Sequence, residues 1–140
     1  MIQIISGEKG KGKTKFLLEK VNNAVKTANG SIVFLDKNTK HMYELNNKVR
    51  LITVPELPVD NTDEFIGFLC GIVSQDNDLE EMYLDSFLNI AHIDSDEALC
   101  KVLKKLNVLS DKYHINFILS VSKNEADLPE CAKQYIEISL

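Results

Sequence analysis

Two rhythms of apolar residues alternate along the chain. Short, nearly unbroken runs read as buried strands, at Ile2 to Ile5, Ile32 to Leu35 and Phe117 to Val121. Val49 to Val54 alternates and is β-branched, which predicts a peripheral strand ended by Pro55 and Pro58. Glu81 to Asp85 and Tyr135 to Leu140 complete the strands. Between them lie helical stripes. Phe16, Leu17, Leu18, Val21, Ala24 and Val25 predict a helix from Lys13 to Ala28, stopped at Asn29-Gly30. Phe65, Ile66, Leu69, Ile72 and Val73 predict a second, capped within Asp60-Asn61-Thr62 and running to Ser74. Leu99, Val102, Leu103, Leu106, Leu109 and Tyr113 predict a third, from a capped start at Asp94-Ser95 to His114. Asn38 to Asn47 reads as a short helix or loop, and Glu125 to Lys133 as a short helical stretch interrupted by Pro129. Gly67 and Gly71, on one helix face, are expected to let that helix pack closely on the sheet.

Strands alternating with helices predict an α/β protein. The expected form is a three-layer α/β/α arrangement around a mostly parallel sheet of about five to six strands, with right-handed crossovers. The 140 residues are expected to make one domain, 1–140.

Chemistry concentrates behind the first strand. Gly7-Glu8-Lys9-Gly10-Lys11-Gly12-Lys13-Thr14 fits G-x-x-x-x-G-K-[ST], the P-loop pattern, with a strand before it and a helix after it. Glycines allow successive backbone N–H groups to turn inward around phosphate oxygens, and the helix N-terminus adds partial positive charge. The motif assigns Lys13 to the β- and γ-phosphates of a nucleotide and the Thr14 hydroxyl to Mg²⁺. Lys9, Lys11 and Lys15 add local positive charge, though loop lysines of this kind are commonly only solvated. Asp85, carried by an apolar run to the C-terminal edge of the sheet, is the candidate to hold the metal opposite Thr14, or else caps the following helix.

Composition narrows the partners. An apolar fraction of 44% and a charged fraction of 26% are ordinary for a soluble domain, and a net charge of −5 argues against nucleic acid as a general partner. Cys70, Cys100 and Cys131 are odd in number and far apart, so neither a zinc site nor a disulfide framework is expected and a reducing cytoplasm is the expected compartment. The first strand leaves no room for a signal peptide, and the longest apolar run, Phe65 to Val73, is far short of a membrane span. His41, His92 and His114 are scattered and receive no role.

With these residues in view, the chain resembles the P-loop NTPase superfamily, and within it a reduced RecA-like core. Ile32 to Asn38 is similar to the strand after the P-loop helix in RecA and KaiC-type ATPases, Leu84-Asp85-Ser86-Phe87 to their second Walker motif, and Phe117 to Ser122 to the strand ending in a polar sensor. A looser likeness to twitching-motility (PilT-like) ATPases and corrinoid adenosyltransferases stops at the P-loop. The resemblance implies ATP, or another NTP, with Mg²⁺ as cofactors. It also shows departures. Asn38 stands where those ATPases keep a water-activating Glu, so it can orient water but not take its proton, and Ser86 follows Asp85 where other families keep the base. Losing a general base slows chemistry by ~10²–10⁴. Arg50, the only arginine, is the one candidate for a subunit-bridging finger. Glu80 and Glu81 are expected to lie too far from the phosphates to substitute.

Ser122-Lys123-Asn124-Glu125 is a distorted form of a guanine-reading motif, and Leu88 replaces the Gly of D-x-x-G, so adenine is favoured over guanine. Three readings follow: an ATP·Mg²⁺ switch or weak ATPase, a small-molecule kinase or nucleotidyl/adenosyl transferase, and a non-enzymatic interaction module with a remnant P-loop. A protein partner or a second copy could pair with an exposed sheet edge at Val49 to Val54 or Tyr135 to Leu140.

Overall fold

The computed structural model describes every residue from Met1 to Leu140. Six strands form one sheet: β1 (Ile2–Ser6), β2 (Ser31–Asp36), β3 (Arg50–Thr53), β4 (Leu79–Leu84), β5 (Asn116–Val121) and β6 (Ile136–Ser139). Their order is β3-β2-β4-β5-β1-β6 and every neighbouring pair is parallel. Helices α1 (Lys13–Ala24), α2 (Thr62–Gln75), α3 (Phe87–Ile90), α4 (Asp96–Tyr113) and α5 (Glu130–Lys133) cover it. The architecture is three-layer α/β/α, with a sheet that is parallel throughout.

Side chains alternate between faces along each strand, and the core divides accordingly. Ile5, Ile32, Phe34, Tyr83 and Ile118 face Leu17, Leu18 and Val21 of α1. Ile4, Val33, Leu35, Met82, Leu84, Phe117 and Leu119 share the other core with Phe65, Leu69 and Val73 of α2 and with Leu99, Val102, Leu103 and Leu106 of α4. Both faces of the central strands are buried, which is why Ile32 to Leu35, Met82 to Leu84 and Phe117 to Leu119 are unbroken apolar runs.

Handedness decides which helix covers which face. The steps from β1 to β2 and from β2 to β3 run one way along the sheet, and α1 and the 37–49 connection lie together on one side, tied by Asn22 Nδ2 to the Glu44 carbonyl at 2.8 Å. The later steps run the opposite way, and α2, α4 and α5 lie on the other side. This is the pattern right-handed crossovers impose.

Several details differ from the sequence reading. α1 ends at Ala24 rather than Ala28, and Val25 to Thr27 continue as turns, because Lys26 and Thr27 are exposed and bury nothing. Gly67 and Gly71 do not pack on the sheet. They are exposed, and a Cβ added at either meets nothing within 4 Å. Two residues on from Phe65 and Leu69, they sit about 200° round the helix.

Cys100 of α4 and Cys131 of α5 form a disulfide, against the expectation of unpaired thiols, while Cys70 is free and exposed. The contact arises because α5 returns across the sheet onto α4, a proximity that 31 residues of sequence separation conceal. The cysteines therefore no longer argue for a reducing compartment. No helix is long and apolar enough to cross a membrane. β3 and β6 are the sheet edges, as the sequence led us to expect.

Candidate functional site

The glycine loop leaves β1 at its C-terminal end. Gly10 and Gly12 have φ of 85° and 93°, backbone that side-chain-bearing residues rarely adopt, although an added Cβ at either would meet nothing within 4 Å. Gly7 is a matter of close approach, since a Cβ there would lie 3.1 Å from Leu140. Gly12 caps α1, and Phe16 N donates to its carbonyl at 3.1 Å. The helix therefore begins at Lys13 with its first amides aimed toward the loop.

Lys13 is only 7% exposed, and its Nζ arches back to donate to the Glu8 carbonyl at 2.9 Å. Burial holds its pKa below the usual lysine value, and the Asp85 charge opposes that shift. Thr14, one residue on, donates from Oγ1 to Asp85 Oδ2 at 2.9 Å.

Asp85 directly follows β4 and is buried. Its Oδ1 accepts from the Ser86 N–H at 3.0 Å and from the Ser120 hydroxyl. Leu35 pairs with Leu84, and Leu84 with Leu119, so Asp36, Asp85 and Ser120 occupy the same step on three adjacent strands. All three turn toward the α1 side, in phase with Phe34, Tyr83 and Ile118. Ser86 takes φ 53° and ψ 47°, a left-handed conformation that costs a non-glycine residue of order 1 kcal/mol.

A cavity of about 340 Å³ lies over this row, bordered by Lys9, Gly10, Gly12, Lys13, Asp85 and Ser122 among others and by no hydrophobic residue. Beside it a recess of about 250 Å³ is bordered by Asp36, Asn38, Lys40 and His41, and shares Thr14, Lys37, Asp85 and Ser86 with the first. Asp36 is buried, and burial raises its pKa above the usual carboxylate range; the Asp85 charge adds to the rise, while a hydrogen bond from Lys37 N at 2.7 Å opposes it. Lined by polar groups alone, with Lys9, Lys13, Lys37 and Lys40 set against Asp36 and Asp85, the pair of cavities suits a hydrated, charged ligand.

The structure brings Gly10, Gly12, Lys9, Lys13, Thr14 and Asp85 together around one cavity. Lys11 and Lys15 are exposed and border neither cavity, and Glu8 contributes its carbonyl to Lys13 while its carboxylate accepts from Asn124 Nδ2 at 2.8 Å. Asn38 is exposed at the recess, with Oδ1 accepting from Lys40 N at 3.0 Å, so its amide serves a local turn. Asp36 holds the deeper position that the sequence left without a role, although its place at the end of an apolar run, like that of Asp85, was the available signal. Glu80 accepts from Gly30 N, and Glu81 Oε1 accepts from the Tyr83 hydroxyl at 2.9 Å, at the far end of β4 from the loop. Arg50 begins β3 and lies in a separate, larger and more apolar groove of about 630 Å³ against α2, away from the loop. His92 Nε2 meets the Val59 carbonyl at 2.9 Å and His114 closes α4 in a left-handed conformation, both structural positions.

No group of three or more His, Cys, Asp or Glu gathers to hold a metal. A hydroxyl and a carboxylate at Thr14 and Asp85 do form a pair of hard oxygen donors, which fits Mg²⁺ sharing its remaining positions with phosphate and water. No protein-family model and no curated protein matches the chain.

Proposed function

We propose that this chain binds ATP as its Mg²⁺ complex and works as a nucleotide-dependent switch with at most weak hydrolysis, as a P-loop NTPase of reduced RecA-like type. The observation that carries this reading is the Thr14–Asp85 hydrogen bond at the mouth of a glycine loop whose lysine is buried. In this reading loop amides and Lys13 hold the β- and γ-phosphates, and Thr14 and Asp85 hold the metal. Mg²⁺, when bound, would neutralise phosphate charge. Ser120 positions Asp85 by donating to Oδ1, leaving Oδ2 turned toward Thr14.

Weak hydrolysis follows from Asn38 being engaged with its own turn, with no glutamate beside it. Adenine is favoured because Ser122 and Glu125 stand where a guanine-reading motif needs Asn and Asp. The cytoplasm, where ATP is abundant, is the proposed compartment. Disulfides there are usually transient.

A second reading, transfer of a phosphoryl or nucleotidyl group to a small acceptor, draws support from the polar recess around Asp36 next to Thr14 and Asp85. Titration calorimetry of the full chain with ATP and Mg²⁺, with GTP as competitor, tests the proposal. Saturable heat that needs Mg²⁺ supports it, and none at millimolar nucleotide refutes it. Turnover appearing only with added metabolites would favour the transferase.

A further inference from the structure

We propose that Cys100 and Cys131 form a reversible thiol–disulfide modification site, exchanged with small-molecule thiols of the glutathione class, that sets how firmly the glycine loop is held and so how tightly it takes nucleotide. The nucleotide half of this inference rests on the function proposed above.

The link is the segment from Ser122 to Lys133. At its start it forms a wall of the loop, where Gly7 N donates to the Lys123 carbonyl at 2.9 Å and Asn124 Nδ2 donates to Glu8 Oε1 at 2.8 Å. Glu8 in turn is the residue whose carbonyl holds Lys13 Nζ. At its other end, α5 spans four residues, too few to be stable alone, and Cys131 within it is bonded to Cys100 of α4. Between these points Leu128 and Ala132 are buried, and Lys123 Nζ reaches Asp96 Oδ1 at 3.8 Å in an exposed pair that holds little. The disulfide is thus the one covalent cross-link on a connection between β5 and β6 whose β5 end supports the phosphate loop. Both cysteines are half-buried and within reach of a small thiol.

Exchange needs no agent beyond that thiol. A thiolate RS⁻ attacks one sulfur of the pair, the S–S bond breaks, and the released cysteine thiolate takes a proton. A second RS⁻ attacks the mixed disulfide, freeing the other cysteine and forming RS–SR. The sum is the protein disulfide plus two RSH giving two cysteine thiols plus RSSR, with two electrons passing to the protein.

The test uses the full chain carrying Cys70→Ser, so that only this pair reports. Oxidised and reduced forms are made with glutathione disulfide and glutathione, counted by thiol titration, and titrated with ATP and Mg²⁺. The oxidised form should bind more tightly by about fivefold or more, the low end of coupling between two sites. The Cys100→Ser/Cys131→Ser variant should match the reduced form in either buffer. Equal affinities, or a pair that millimolar glutathione does not reduce or glutathione disulfide does not reoxidise, overturn the proposal. If neither form binds ATP, the nucleotide reading fails, and amide exchange then decides the link. Faster exchange at 7–13 and 122–133 on reduction upholds it, and unchanged exchange overturns it.

Discussion

Thr14 Oγ1 donates to Asp85 Oδ2 at 2.9 Å, although 71 residues separate them in sequence. The contact places the first turn of α1 against the end of β4, and it exists because β5 stands between β1 and β4, leaving a gap that the glycine loop spans. Each partner is held from behind, Thr14 by the helix and Asp85 by Ser86 N and Ser120. The pair is therefore set before any ligand arrives.

Lys13→Ala should weaken ATP·Mg²⁺ binding by about 2–5 kcal/mol, roughly 30-fold or more, as loss of one partner from a buried charge contact does. Calorimetry reads it. Unchanged affinity would mean the buried ammonium does not meet phosphate.

Thr14→Ala should remove most of the Mg²⁺ dependence of nucleotide binding, and Thr14→Ser should restore it, since only the hydroxyl is required. Asp85→Ala should show the same loss and also lower stability by about 1–3 kcal/mol, because the Ser120 and Thr14 hydroxyls lose their acceptor while Ser86 N keeps only Ser120 Oγ. Affinity measured across Mg²⁺ concentrations, with denaturant unfolding alongside, separates the two effects.

Asp36 gives a pH prediction with a definite sign. Its folded pKa is raised, chiefly by burial, so the folded state holds the proton more tightly than the unfolded one. Stability from this group therefore falls as pH rises above the unfolded carboxylate value of about 4. Asp36→Asn, which keeps an oxygen for Lys37 N, should melt higher than the wild type at neutral pH, with the difference closing as pH approaches 4. A variant that melts lower at neutral pH would show the charge to be stabilised in the fold.

Joining residues 31 apart, the Cys100–Cys131 bond should contribute about 3–4 kcal/mol by restricting the unfolded chain. The Cys100→Ser/Cys131→Ser variant should melt roughly 10 °C below the oxidised wild type. Equal melting temperatures would mean the bond closes no loop that matters to folding.

The strands and helices were legible because two-sided burial writes apolar runs and one-sided burial writes 3.6-residue stripes, and the glycine loop was legible because its positive-φ positions tolerate so few residues. Asp85 was read from its place after an apolar run. Asp36, equally placed, passed without a role because strand order is not written in any local pattern, and without that order its adjacency to Asp85 stays hidden. Cys100 and Cys131 were misjudged for the same reason, since a contact between α4 and α5 depends on which way each crossover turns. Gly67 and Gly71 misled because spacing shows that two residues share a face but not which face.

Asp36, Asp85 and Ser120 lie on one rung only because the hydrophobic strands beneath them are locked in step. Inserting a single residue within β4 would keep its composition greasy enough to fold yet swing the carboxylate to the α4 side, away from Thr14. The interior of this sheet thus acts as a ruler, and the precision of its chemistry is inherited from oily side chains that never meet the ligand.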